Sequence, residues 1–158
     1  MKTFSSKYGY SFNMKSDYWR EINQEERKKY KVSSLQINYL INSQEHGEFS
    51  VTFDSFYPFV DTANINNYFK VCKSAMATFG HQVITEDLIK RPNGVIAYKL
   101  LTKNPNGKLQ LTFFMRLTGQ TPKGYGYGCL TTYPTQENDK RENDLLEAIS
   151  NWNYIDVR

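Results

Sequence analysis

The stretch Tyr8-Gly9-Tyr10-Ser11-Phe12-Asn13-Met14, followed by Trp19, says most about the fold of this chain. Its large side chains alternate with small or polar ones, which is the period of a β-strand with one buried face. We expect the four large residues to face a core and Trp19 to close the end of the sheet. Neither this stretch nor any other carries a catalytic signature, so the pattern bears on structure rather than on chemistry.

The composition is that of one folded domain. The chain has 158 residues, of which 39% are hydrophobic and 15% aromatic, with 12 Tyr and 10 Phe. Aromatic side chains bury large areas each, so this modest apolar share can still fill one core. We therefore predict a single domain over residues 1–158, with residues 1–6 as a candidate disordered arm.

The charge pattern argues against nucleic-acid binding. The net charge is only +4, from 20 Lys and Arg against 16 Asp and Glu. The densest cationic run, Arg27-Lys28-Lys29, directly follows Glu25-Glu26, which is typical of a solvated helix face. We expect no nucleic-acid partner.

Cysteine usage and hydropathy bear on the compartment. Cys72 and Cys129 are too few for a disulfide framework, so we predict two free thiols in a reducing environment. The sequence shows no apolar leader segment, and no apolar run approaches the roughly 20 residues of a membrane span. We expect a cytoplasmic protein without membrane insertion, whereas a removed leader would place it outside the cytoplasm.

The remaining patterns predict strands around two amphipathic helices. Ile65, Phe69, Cys72, Met76 and Phe79 recur at helical spacing and Gly80 follows, so we predict a helix that starts at Asp61 or Thr62. Strands are predicted at 8–14, 35–41, 49–53, 82–90, 95–102, 109–117 and 125–132, with a loop at 118–124. Residues 24–30 are predicted to form one or two helical turns. A closing helix is predicted at 137–152, with Thr135 as its cap.

Two features of these strands set the expected architecture. Leu35, Ile37, Tyr39 and Ile41 alternate in the strand at 35–41, and the strand at 49–53 alternates as well, so these two strands are predicted to form a β-hairpin. Strands joined by short turns must pair antiparallel, and each helix needs a sheet to cover its apolar stripe. We predict an α+β fold in which helices pack on the faces of an antiparallel sheet.

The opening motif and the order of elements resemble the PsbP-like family, which groups PsbP, yeast Mog and DcrB-like proteins. Members open with an aromatic-Gly-aromatic-x-Phe strand that runs into a Trp, matched here by Tyr8, Gly9, Tyr10, Phe12 and Trp19. The Pro that usually precedes this Trp is missing here. The resemblance implies a three-layer α/β/α sandwich with a central, mainly antiparallel sheet, and a role in binding macromolecules rather than in catalysis.

No cluster of reactive side chains predicts an enzyme, a metal site or a cofactor. His46 and His81 stand alone, without a second ligand at helical spacing. The two cysteines fall within apolar patterns and are interpreted as packed side chains. Glu86-Asp87 lie next to each other on a strand, so their carboxylates point to opposite faces. We therefore predict no catalytic residue, no metal and no cofactor.

The run from Gly119 to Gly128 is glycine-rich, but it lacks the Gly-Lys-Ser/Thr of a phosphate-binding loop that opens a helix. Gly124, Gly126 and Gly128 share one face of a predicted strand. They are interpreted either as a packing site under a helix or as the floor of a shallow groove walled by Tyr125 and Tyr127.

The aromatic cluster Phe56-Tyr57-Pro58-Phe59 either lines the core at a helix start or forms a contact patch. We hypothesise a non-catalytic binding domain, a monomer or weak dimer, that docks to a protein partner. The alternative is a small-molecule or lipid-binding module with an apolar pocket between sheet and helices. The predicted partner-binding residues are Phe56, Tyr57, Phe59, Lys123, Tyr125 and Tyr127.

Overall fold

The computed structural model describes residues 2–14, 18–42, 47–54, 65–137 and 140–157, and the backbone of residues 59–60. The helices are α1 Gln24–Lys29, α2 Ile65–Thr78 and α3 Arg141–Ser150. The strands are β1 Lys2–Ser6, β2 Tyr10–Met14, β3 Trp19–Glu21, β4 Gln36–Asn42, β5 Gly47–Phe53, β6 Phe59–Val60, β7 Gln82–Lys90, β8 Ile96–Lys103, β9 Leu109–Thr121, β10 Gly124–Thr132 and β11 Asn153–Tyr154.

The described strands form two sheets in which neighbouring strands run antiparallel. The small sheet has the order β1-β2-β11. The large sheet has the order β3-β4-β5-β10-β9-β8-β7, and β6 adds to β10. The pairing of β5 with β10 joins the β4–β5 hairpin to the later meander.

This architecture corrects the predicted fold class. The α+β, three-layer α/β/α sandwich expected from the PsbP/Mog-like resemblance is wrong, because the described chain is 50% strand and 22% helix and has two antiparallel sheets. Strands β1 and β11 were missed because β1 has a single buried apolar residue, Phe4, and β11 is two residues long. Residues 2–6, considered as a disordered arm, are described as β1 paired with β2.

The opening motif does the structural work expected of it, with one exception. Tyr10, Phe12 and Met14 are buried in β2, and Trp19 is buried at the start of β3. Tyr8 is 38% exposed, because Gly9 breaks the strand with a φ of 116°.

These buried rings attach the opening strand to the end of the chain. The Phe12 ring stacks on Trp152 with centroids 5.0 Å apart, and Tyr10 stacks on the same indole at 4.7 Å. The Trp19 indole N–H donates to the Asp144 carboxylate of α3 at 3.1 Å. Parallel stacking at these distances adds to the free energy of burial.

The apolar alternation over residues 35–41 does not mark the buried face of β4, although Leu35 and Ile37 pack against the core. Asn38, Leu40 and Asn42 are buried, whereas Tyr39 and Ile41 are half-buried on the opposite face. The buried side-chain amide of Asn38 is tolerated because it has partners. Its Oδ1 accepts from the Tyr10 hydroxyl, and its Nδ2 donates to the Glu21 carboxylate at 2.6 Å. Polar residues that satisfy each other across the core defeat an assignment based on apolar alternation.

Helix α2 covers the other face of the large sheet. Tyr68, Phe69 and Cys72 are buried against Leu100, Phe114 and Tyr127. The predicted N-cap residues 61–62 lie outside the described residues. Gly80 takes a φ of 88° after the helix, as the pattern predicts, but Phe79 is 62% exposed because α2 ends at Thr78.

The meander agrees closely with its predicted boundaries except at one turn. The segment predicted as a loop at 118–124 mostly continues β9 as far as Thr121, and only Pro122 and Lys123 separate it from β10. The closing helix begins at Arg141 rather than near Thr135.

Candidate functional site

The structure brings the two halves of the predicted partner surface together through the backbone. Strand β6 pairs with β10, so that Phe59 lies opposite Gly126 and Val60 opposite Tyr125. Phe56 and Tyr57 lie outside the described residues, and only the backbone of Phe59 is described. The expected contact patch is therefore described only on its β10 side.

On that side, only part of the predicted wall is accessible. Lys123 is exposed in the turn and Tyr125 is half-buried, but Tyr127 is 1% exposed within the core under α2. The register shifts between Tyr125 and Tyr127, so that these tyrosines do not form one continuous wall. At 1% exposure, Tyr127 offers almost no surface to a protein partner.

The glycines of β10 serve the packing of the neighbouring strand β5. A Cβ on Gly128 would come within 2.0 Å of the Thr52 carbonyl oxygen, and a Cβ on Gly126 within 2.8 Å of the Phe53 ring. The packing interpretation therefore applies to these two glycines, but the element that approaches them is β5 and not a helix.

Arg116, near the middle of β9, was not among the predicted site residues. Its guanidinium carbon lies 3.9 Å from the ring centroid of Tyr154 and 5.0 Å from that of Tyr125. The Tyr154 hydroxyl donates to the Arg116 carbonyl oxygen at 2.9 Å. Arg116 is thus held at its backbone and at its cationic end by the same tyrosine.

This arginine lines an open recess of about 140 Å³ between the start of α2 and the large sheet. The described residues that line it are Ile65, Gly94, Ile96, Arg116, Tyr127 and Tyr154. No acidic residue is among them. The Arg116 Nε is buried without a hydrogen-bond partner, and no ion pair involving this residue is present in the described part of the chain. The recess is a cationic site with aromatic and apolar walls.

Burial sets the protonation of the tyrosines around Arg116. It raises the pKa of Tyr154 to about 12, with the Arg116 cation partly opposing the shift. Burial also raises the pKa of Tyr127. Both phenols therefore stay neutral at physiological pH, and Arg116 supplies the formal charge of the recess.

The C-terminal segment holds Tyr154 in place. The Gly9 carbonyl oxygen accepts from both Gly119 N and Ile155 N at 3.0 Å, and Val157 N donates to the Gln120 carbonyl oxygen at 2.8 Å. No local pattern reveals this arrangement, because Arg116 and Tyr154 are 38 residues apart. The available signal was a lone cation on the face of β9 that also carries the buried Phe114.

A second groove, of about 580 Å³, lies beside Glu48, Lys108 and Arg141. Arg141 is 8% exposed and donates to the Tyr133 carbonyl oxygen at 2.6 Å. Gly47 leaves room for it, since a Cβ there would lie 2.9 Å from the Arg141 Nε. This arginine joins α3 to the end of β10 and to β5, which is a structural role.

Strand β7 is the open edge of the large sheet. All of its nine residues are exposed except Ile89, which is half-buried. Val83, Ile84 and Leu88 are 39%, 39% and 45% exposed. An edge strand of this length presents a row of backbone donors and acceptors to solvent.

The remaining reactive groups are isolated or protonated. Burial raises the pKa of the Cys72 thiol to about 12 and that of Cys129 to about 11. His81 lies 3.0 Å from the Thr102 hydroxyl, and burial lowers its pKa. Within the described ranges, no three potential metal-ligating side chains come together, and no helix is long and apolar enough to cross a membrane.

Comparison with known proteins adds no family to this geometry. The sequence matches no protein-family model and no curated protein. What the chain does is therefore inferred from the β7 edge and the Arg116 recess.

Proposed function

We propose that the chain is a non-catalytic binding domain that docks to a protein partner by adding an extended segment of that partner to β7. The open nine-residue edge carries this proposal. Backbone hydrogen bonds along such an edge supply affinity, and alternate side chains supply selectivity. The free thiols Cys72 and Cys129 favour a reducing compartment such as the cytoplasm.

Some of the features that usually protect a sheet edge are missing along β7. The strand contains no proline, and its register shift lies near one end, between Val83 and Thr85. Glu86, Asp87 and Lys90 are charged and exposed on this strand, and the Lys73 ammonium holds the Glu86 carboxylate at 2.8 Å. The segment from Thr85 to Lys90 is therefore regular and open to another strand.

Exposed apolar side chains lie where such a strand would rest. Leu88 pairs with Tyr98, whose ring stacks on Phe69 of α2, so Leu88 lies on the α2 side of the sheet. Phe79, just beyond the end of α2, precedes β7 and is 62% exposed. Aromatic and aliphatic side chains beside an open edge are suitable anchors for a partner.

The other proposed sites are less well supported. A second proposed contact area consists of Lys123, Tyr125, Phe56, Tyr57 and Phe59. The variant Tyr125→Ala tests it.

The alternative of a lipid or small-molecule module is the weaker proposal, because the recess between α2 and the sheet holds about 140 Å³ and contains a cation. Sites for drug-sized ligands span roughly 300 to 1,000 Å³.

Display of random nine-residue peptides, matched to the length of β7, tests strand addition. Selected peptides should protect β7 amides from hydrogen exchange. The variant Leu88→Lys should bind them about tenfold more weakly, because it places a cation at the centre of the contact. Tyr30→Lys is the matched control, since Tyr30 is 52% exposed at the end of α1 and gains the same charge.

Two results would reject the proposal. One is a set of peptides that protects other strands and binds Leu88→Lys as well as the parent. The other is protection of β7 that grows with protein concentration alone, which would make a second copy of the chain the occupant.

A further inference from the structure

The Arg116 cation lacks a counter-charge in the described part of the chain. Partial burial of a charge is unfavourable unless it is paired or hydrogen-bonded. The side chain is half-buried, and its Nε is fully buried without a partner. Arg20 differs in this respect, since its guanidinium forms two hydrogen bonds with Glu26 at 2.8 and 2.9 Å.

The aromatic neighbours orient Arg116 without neutralising it. The rings of Tyr154 and Tyr125 lie close to its guanidinium carbon. Contacts of a cation with ring faces leave the N–H groups in the guanidinium plane available. Those N–H groups form a planar fork that matches the two oxygens of a carboxylate or a phosphate.

The recess beside this fork suits a small group. Its volume of about 140 Å³ corresponds to several water molecules, and Ile65, Ile96 and Tyr127 form its walls. Such walls lower the local dielectric constant and strengthen attraction between opposite charges. We infer that the recess is an oxyanion-binding site, in which Arg116 binds the carboxylate or phosphate group of a small ligand.

An NMR titration tests this site directly. The backbone amide resonances of Ile96 and Tyr127, which every variant keeps, are followed together with the Arg116 Nε–H resonance of the parent while sodium phosphate or sodium acetate is added at constant ionic strength. Saturable shifts are expected with at least one probe, and the tighter probe identifies the oxyanion. Arg116→Gln should weaken binding about tenfold, the loss expected when a charged hydrogen bond is removed.

Matched variants separate binding from net charge and from folding. Arg20→Gln removes one positive charge at a surface pair and should bind like the parent. Arg116→Lys keeps the charge but lacks the fork, so its affinity should lie between those of the parent and Arg116→Gln. Backbone amides outside the recess report whether each variant remains folded.

A parent protein whose shifts rise linearly with both salts, without saturation, would overturn the inference. So would Arg116→Lys or Arg116→Gln variants that are folded and bind phosphate or acetate as tightly as the parent. Leu88→Lys should retain oxyanion binding, so failure of strand addition at β7 and failure at Arg116 are distinguishable.

Discussion

The Tyr154 hydroxyl donates to the Arg116 main-chain carbonyl at 2.9 Å, while the Tyr154 ring centroid lies 3.9 Å from the Arg116 guanidinium carbon. One residue of the small sheet thus holds both the backbone and the side chain of one residue of the large sheet. Strand β8, the neighbour of β9 in the sheet, begins at Ile96, and its first pair with β9 is Ala97 with Met115. Tyr154 therefore contacts β9 just beyond the end of β8.

Tyr154→Phe should remove the hydrogen bond while keeping the ring over Arg116. We expect the free energy of unfolding to fall by about 1 kcal/mol, because the carbonyl loses its donor in a half-buried site. Urea unfolding measures the change. Tyr30→Phe, at a 52% exposed tyrosine, should change it by less than about 0.5 kcal/mol, and equal effects of the two variants would contradict the assigned role of the hydroxyl.

Gly128→Ala should be among the most destabilising small substitutions, because its Cβ would come within 2.0 Å of the Thr52 carbonyl oxygen. We expect a loss of roughly 3 kcal/mol or more, since backbone on both strands must move. Gly94→Ala is the comparison: its φ of 87° costs about 1 kcal/mol, but no atom lies within 4 Å of the added Cβ. Thermal unfolding of both variants measures the two losses of stability. A larger loss in Gly94→Ala than in Gly128→Ala would contradict the prediction.

The meander could be predicted from sequence because its turns are local. Gly94 and Gly107 take φ values of 87° and 81°, and the Asn104 side chain accepts from the backbone N–H groups of Asn106 and Lys108. Asn and Gly favour these turns whatever surrounds them. Each strand boundary next to such a turn therefore follows from a few adjacent residues.

The pairing of β11 in the small sheet could not be predicted because it connects the two ends of the chain. Asn153 pairs with Ser11, and Tyr154 with Tyr10. The two residues of β11 carry no periodicity, so only the folded backbone identifies them as a strand. The error in fold class follows, because the strands of the small sheet pack on a face of the large sheet that was predicted to carry helices.

The candidate sites also divide into features that adjacent residues reveal and features that depend on distant parts of the chain. Aromatic density identified Tyr125 as a surface candidate, but it could not separate Tyr125 from the buried Tyr127, since a register shift lies between them. Arg116 was missed because its surroundings come from α2, β8, β10 and β11. The β7 edge was predicted as a strand, but its position at the edge depends on the order of the whole sheet.

Alkaline pH should destabilise the fold through its buried phenols. Burial raises the pKa of Tyr154 to about 12, and it also raises the pKa of Tyr10 and Tyr68. A raised phenol pKa gives stability that is complete below about pH 10 and is lost as the pH rises toward 12. Urea unfolding across this range should show a steeper loss in the parent than in Tyr154→Phe, by on the order of 2 kcal/mol. Identical slopes would contradict the buried state of Tyr154.

Asn38→Leu should destabilise the fold although it adds apolar volume to the core. The change removes the acceptor of the buried Tyr10 hydroxyl, and an unpaired buried polar group costs about 1 to 3 kcal/mol. The double variant Tyr10→Phe with Asn38→Leu should recover part of that loss, since both polar partners are then absent. A double-mutant cycle by urea unfolding measures the coupling, and purely additive effects would exclude this hydrogen bond as a stabilising contact.

The two thiols should react with a disulfide reagent only slowly while the protein is folded. The thiolate is the reactive form, and burial raises the pKa of Cys72 to about 12 and that of Cys129 to about 11. Cys129 is half-buried in β10, whereas Cys72 is buried on the side of α2 that faces the sheet, so Cys129 should react first. Labelling of Cys72→Ser and Cys129→Ser near neutral pH isolates each thiol, and urea-unfolded samples give the unhindered rate. Native labelling of Cys72 at that rate would contradict its burial between α2 and the sheet, because reaction there requires the helix to separate from the sheet.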